Sequence, residues 1–172
     1  GNGRTRQQYY NMIQQVREWC PDKPIICNED SQAIGQLIVA YQTRTSWGYY
    51  NNMTKQEPPA VWGITRGEDQ FFAWRMAEGL GIEVPEIPEE DQYYLQGLEP
   101  EMTVDGKRWI RLASLYPESI DYVKFYRDDR LEYVSYDEPF SINFRSNWMQ
   151  GPVSVKEGEQ WKAEIHLCNG DI

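Results

Sequence analysis

The stretch Lys23-Pro24-Ile25-Ile26-Cys27-Asn28-Glu29-Asp30 joins a short apolar run to three polar residues. An apolar run of this kind, entered through a proline-containing turn, is typical of a buried parallel strand. Polar residues that follow such a strand lie at the carboxyl edge of the sheet, where the catalytic groups of parallel α/β proteins converge. Glu29 is therefore a candidate catalytic residue. The alternative is that Glu29 or Asp30 only caps the helix that follows.

Helical and strand patterns alternate on both sides of this stretch. Apolar spacing predicts three helices. The first covers residues 4–19, the second runs from a cap at Asp30 or Ser31 to residue 41, and the third covers residues 68–80. A second strand is predicted over residues 45–49. This alternation predicts βα units around a parallel sheet. Two parallel strands are too few for a stable sheet. We therefore expect an upstream segment of the same protein, or another chain, to supply further strands.

The second predicted strand ends in Ser46-Trp47-Gly48-Tyr49-Tyr50. Parallel pairing would bring this indole and the two phenols to the same edge as Glu29. A carboxylate beside aromatic rings is typical of a sugar site, because rings stack on the apolar faces of pyranoses while the carboxylate acts at the anomeric carbon. The alternative is that Trp47 fills the core and that the tyrosines only pack.

The order of these segments is a helix, residues 23–30, a helix, residues 46–50, a proline-rich loop, Val61-Trp62 and a helix. This order resembles the end of the (β/α)8 barrel of clan A retaining glycoside hydrolases. Residues 57–64 also resemble the closing loop of bacterial members. The resemblance covers roughly residues 1–82. It implies that Glu29 is the nucleophile and that the Trp47 ring stacks beneath the sugar in its subsite. It further implies that Asn28, Tyr49 and Tyr50 hydrogen-bond the sugar or orient Glu29.

The same resemblance implies a second catalytic glutamate, the general acid/base at the end of strand four. No segment of this sequence matches strands one to six, and a retaining mechanism needs both carboxyl groups. The expected partners are therefore a carbohydrate and the N-terminal portion of the same protein, or another chain, that completes the barrel.

The second half has a different pattern. Residues 83–101 are rich in proline and acids and are interpreted as a linker, and residues 102–172 alternate as short strands between turns, which predicts a β-sandwich. The predicted strands are Trp109–Leu115, Ile120–Tyr126, Leu131–Tyr136, Phe140–Phe144 and Trp161–Leu167.

Residues 119–144 are similar to bacterial immunoglobulin-like modules appended to secreted carbohydrate enzymes. Asp129 stands where those modules usually have glycine, which predicts a departure from the tight two-residue hairpin. Such modules usually brace a catalytic domain. Direct sugar binding by Trp109, Trp148 or Trp161 is the alternative to core packing.

Composition excludes several classes of function. The 172 residues carry a net charge of -10 and scattered Lys and Arg, so neither nucleic acid nor a membrane is an expected partner. Cys20, Cys27, Cys168 and His166 lack metal-ligand spacing, and we expect no metal and no cofactor. His166 is interpreted as a surface or satisfied residue.

Together these patterns and the two resemblances imply the C-terminal portion of a (β/α)8 barrel joined to an immunoglobulin-like β-sandwich, part of a secreted or periplasmic bacterial glycoside hydrolase. A non-catalytic carbohydrate-binding protein and a structural scaffold remain the alternatives.

Overall fold

A computed structural model of the protein describes residues 5–30, 35–49, 66–99, 103–104, 106–144 and 151–172. At residues 28–30, 49 and 103–104 it describes the backbone alone. An α/β unit in the first half contacts a β-rich unit in the second.

The first unit is a pair of parallel strands packed against helices. Its elements alternate as the sequence predicts: α1 (Arg6–Trp19), β1 (Ile26–Asp30), α2 (Gly35–Thr43), β2 (Ser46–Tyr49) and α3 (Glu68–Gly79). Strands β1 and β2 pair in parallel, because α2 provides the crossover that parallel neighbours need. The strand β1 continues beyond the apolar run, so the polar residues at its end are themselves extended.

Helix α1 begins at a capping box. The Thr5 hydroxyl accepts a hydrogen bond from the Gln8 N–H at 3.2 Å, and the Gln8 side-chain oxygen accepts one from the Thr5 N–H at 3.0 Å. These bonds satisfy two donors that a helix N-terminus would leave open. Tyr9 and Ile13, one turn apart on the same face, are buried against α2.

The strands of the second unit are β3 (Tyr93–Gln96), β4 (Thr103–Val104), β5 (Lys107–Arg108), β6 (Arg111–Ser114), β7 (Ile120–Arg127), β8 (Arg130–Ser135) and β9 (Trp161–Leu167). They form small antiparallel sheets. Two are two-stranded, β3 with β6 and β4 with β5, and the third has the order β8-β7-β9. Their apolar faces enclose a buried cluster that includes Ile110, Val123, Phe125 and Phe140.

Two sequence predictions in this unit are wrong. The linker assigned to residues 83–101 contains β3, which pairs with β6 over four residues and so belongs to the second unit. Within the residues that the structure describes, the predicted strand Phe140–Phe144 makes one isolated bridge, between Ser141 and Arg111. The alternation of apolar residues in this segment reflects the burial of Phe140 and Ile142 in the core, and not strand pairing. Ladder pairing depends on a distant partner that a local pattern does not contain.

The hairpin between β7 and β8 is also tighter than predicted. Arg127 pairs with Arg130, leaving only Asp128 and Asp129 in the turn, and both have positive φ, 48° and 60°. Two-residue turns of this twist favour glycine or asparagine, although aspartate tolerates the left-handed region. Asp128 is held there because its carboxylate accepts a hydrogen bond from the Gln160 N–H at 2.9 Å.

The two units are joined mainly through α3. Phe71, 1 % exposed, is buried with Ala113 and Leu115 of the second unit. Arg75 adds an ion pair with Glu118 at 3.2 Å. Helix α3 is therefore part of both cores.

None of the sheets in the described ranges is closed. The (β/α)8 barrel and the immunoglobulin-like sandwich accordingly stay predictions. Across the described residues, no helix is both long and apolar enough to cross a membrane.

Candidate functional site

The candidate site lies where β1 and β2 end side by side. Cys27 is opposite Trp47, and Asp30 is opposite Tyr49. Between these two pairs β1 has one residue more than β2, so the register shifts at Asn28-Glu29. A shift of this kind is typical of a bulge, which re-aims side chains and is over-represented next to active sites.

The strand conformation of β1 excludes the alternative that Glu29 is the N-cap of the helix that follows. An N-cap residue is followed directly by a residue with helical backbone angles. Glu29 is followed by Asp30, which is extended and paired with Tyr49. The cap alternative therefore survives only for Asp30 and Ser31, and Ser31 lies outside the described residues.

The backbone brings three of the five predicted site residues to one edge. Asn28 and Glu29 lie near the end of β1, and Tyr49 is the last residue of β2. Parallel strands end at the same edge, so these positions converge as expected. Tyr50, the fourth predicted substrate-binding residue, lies outside the described residues.

Trp47 lies on the face of the strand pair that packs against the helices. Its half-buried indole joins the cluster of Tyr9 and Ile13 from α1 and Cys27 from β1. Its ring also meets Phe72 of α3 edge to face, with centroids 5.7 Å apart. These contacts are those of the core-packing alternative.

The opposite face of the strand pair is open. Ile26 is 67 % exposed, and Ser46 and Gly48 beside it are exposed as well. Side chains alternate between faces along a strand, so this is the face away from the helices. Among the described residues, β1 and β2 pair only with each other.

Sequence reasoning missed a buried carboxyl group that holds the helices behind this edge. The Glu138 side chain, 5 % exposed, accepts a hydrogen bond from the Gly35 N–H of α2 at 2.9 Å and lies 3.6 Å from Arg6 Nε of α1. Burial raises the pKa of Glu138 to about 7, although the Gly35 N–H and Arg6 act in the other direction. Its sequence context, Glu138-Pro139, gave only a turn signal.

The tryptophans of the second unit are mostly structural. Trp109 is 1 % exposed with the Arg111 guanidinium 4.5 Å from its ring, so the core-packing alternative is confirmed for it. Trp161 is half-buried against the same core, and Arg127 lies 4.5 Å over its ring. Trp148 lies outside the described residues.

The interpretation of His166 as a satisfied residue is confirmed. Its Nε2 lies 2.7 Å from a Glu164 carboxylate oxygen, and its ring stacks on Tyr122 at a centroid distance of 4.1 Å. Lys124 is 2.8 Å from the same oxygen. The Lys124 ammonium and then His166 lower the pKa of Glu164 to about 2.

The cysteines carry no disulfide in the described part of the chain, and Cys20 and Cys168 are exposed. In the same residues, no three His, Cys, Asp or Glu side chains are grouped closely enough to hold a metal ion.

Comparison with known proteins adds no relative. No protein-family model matches this chain, and neither a curated protein nor a solved structure is significantly similar to it.

Proposed function

We propose that this chain is part of a secreted or periplasmic bacterial retaining glycoside hydrolase in which Glu29 is the nucleophile. The Glu29 carboxylate would attack the anomeric carbon and form a glycosyl-enzyme ester. The bond to the leaving oxygen breaks as a second carboxylic acid protonates that oxygen. Water, deprotonated by the same second carboxylate, then cleaves the ester and restores Glu29.

The observation that carries this proposal is the backbone at the end of β1. Glu29 lies within the register shift at the edge where two parallel strands end, and Tyr49 ends the neighbouring strand. Asn28, Tyr49 and Tyr50 are the proposed partners of the sugar hydroxyls. Trp47 is left out of the proposed sugar contacts, because its described contacts are with the helices.

The second carboxyl group must come from strands that complete the sheet. In a retaining enzyme the two carboxyl groups lie about 5–5.5 Å apart. The exposure of Ile26 supports added strands, since an apolar strand residue is normally covered. We propose that an upstream segment, or another chain, covers this face and brings the acid/base.

The test compares Glu29→Gln with Asp30→Asn in the protein assembled with its completing strands. Both variants remove one charge from β1. Hydrolysis of a panel of aryl glycosides should fall below about a thousandth of the wild-type rate in Glu29→Gln and stay near wild type in Asp30→Asn. A 2-deoxy-2-fluoro glycoside should label the peptide that contains Glu29. Near-normal turnover by Glu29→Gln would refute the assignment.

The alternatives give different results in the same assay. A carbohydrate-binding protein without hydrolytic activity would bind oligosaccharides but leave every aryl glycoside intact. A structural scaffold would do neither.

A further inference from the structure

A cleft of about 560 Å³ lies between α3 and β3, lined by residues other than those of β1 and β2. This volume falls within the range of roughly 300–1,000 Å³ that is typical of small-ligand sites. The side toward α3 is lined by Arg66, Gln70, Phe71 and Trp74, and the opposite side by Asp91, Tyr93 and Tyr94.

The apolar part of the lining is aromatic and firmly held. Phe71 is buried in the contact between the two units, and the Trp74 ring packs against it with centroids 5.8 Å apart. The Tyr93 side chain packs against the buried cluster that includes Ile110 and Val123. The Trp74 and Tyr94 side chains both pack on the cluster around Phe71, so they line the cleft from fixed positions and offer it apolar ring surface.

The polar part of the lining has unused hydrogen-bonding capacity. Within the described ranges, the Gln70 amide and the Asp91 carboxylate make no hydrogen bond or ion pair through their side chains. The Arg66 guanidinium lies 4.7 Å over the Tyr94 ring and likewise forms no ion pair in those ranges. By contrast, Arg75 of α3 forms two ion pairs.

We infer that this cleft binds a neutral sugar unit of an oligo- or polysaccharide. Asp91 accepts hydrogen bonds, Arg66 donates them and Gln70 does both, which matches the mixed donors and acceptors of neighbouring sugar hydroxyls. The aromatic rings match the apolar face of a pyranose.

Charge favours a neutral ligand over an acidic one. The charges of Arg66 and Asp91 cancel within the lining. The chain as a whole carries a net charge of -10, which repels polyanions. The site is separate from Glu29, and this inference holds or fails whether or not the protein hydrolyses glycosides.

The test is isothermal titration of the protein with cellotetraose, xylotetraose, mannotetraose and, as an acidic probe, trigalacturonate. A Glu29→Gln background prevents cleavage during the titration. At least one neutral tetrasaccharide should bind with a Kd of about 1 mM or tighter. Asp91→Ala and Gln70→Ala should each weaken that binding about tenfold, since each removes hydrogen bonds to the sugar.

The matched control is Asp22→Ala, which removes an exposed carboxylate in the turn after α1 and should leave the Kd unchanged. Circular dichroism establishes that each variant is folded. The inference is overturned if none of the neutral probes binds at about 10 mM, if trigalacturonate alone binds, or if both cleft variants keep the unsubstituted Kd.

Discussion

Replacement of Glu138 by Gln should remove a large part of the pH dependence of stability between about pH 5 and 8. The carboxyl is 5 % exposed and lines a cavity of about 470 Å³ between α1, α2 and the second unit. The titratable groups that share this cavity are Arg6, Tyr10, Glu118 and Asp137. Burial raises the pKa of Glu138 from 4.5 to about 7 in the folded protein.

The sign follows from proton binding. Between the unfolded pKa of 4.5 and the folded pKa of about 7, the folded state holds the Glu138 proton more tightly than the unfolded chain. The free energy of unfolding therefore has its full value below about pH 4.5 and falls as the pH rises through 7. At about 1.4 kcal/mol for each pH unit between the two pKa values, the loss is ~3 kcal/mol.

Glu138→Gln keeps an oxygen that can accept the Gly35 N–H bond and stays neutral at every pH. Urea unfolding followed by tryptophan fluorescence at several pH values measures the difference. Relative to wild type, the variant should gain up to about 3 kcal/mol between pH 5 and 8. Asp121→Asn, which changes an exposed carboxyl outside this cavity, is the matched control and should keep the wild-type pH dependence. A Glu138→Gln profile parallel to that of wild type would refute the argument.

Three further outcomes follow from the packing. Gly35→Ala should lower the free energy of unfolding by about 1–3 kcal/mol, because the added Cβ would overlap the buried Glu138 carboxylate. Gly79→Ala is the matched control: its Cβ meets nothing within 4 Å, so it should raise the free energy of unfolding by about 0.4–1 kcal/mol. Asp129→Gly should raise the urea midpoint, because it relieves a positive φ worth about 1–2 kcal/mol; a lower midpoint would contradict this. Lys124→Met should raise the pKa of Glu164 from about 2 in a carboxyl NMR titration, and an unchanged value would exclude Lys124 as its main cause.

The sequence predicted the first unit well because its signals are local. Helical spacing in α1 and the apolar run before Glu29 depend only on neighbours along the chain. The parallel pairing of β1 and β2 then follows from their single helical crossover. The register shift at Asn28-Glu29 could not be predicted, since it depends on how two separate strands fit together.

The errors in the second unit have a common physical cause. The prolines and acids around β3 are typical of a linker, and its partner β6 lies beyond two other strands. Trp47 shows the same limit within the first unit. Its position in the sequence gives its strand, but the face it occupies depends on residues distant in the chain, among them Tyr9 and Phe72.

The contacts of the second unit explain how it could brace the edge where β1 and β2 end. It reaches α1 through Arg6, α2 through the Gly35 N–H and α3 through Phe71. All three helices contact the same face of the β1–β2 pair through the cluster around Trp47. Because these helices are held in place, the strand pair is held through its Trp47 face, and the opposite face at Ile26 stays open. Any strands that complete the sheet would therefore join a strand pair whose position is already set, which is the preorganisation that the proposed nucleophile Glu29 requires.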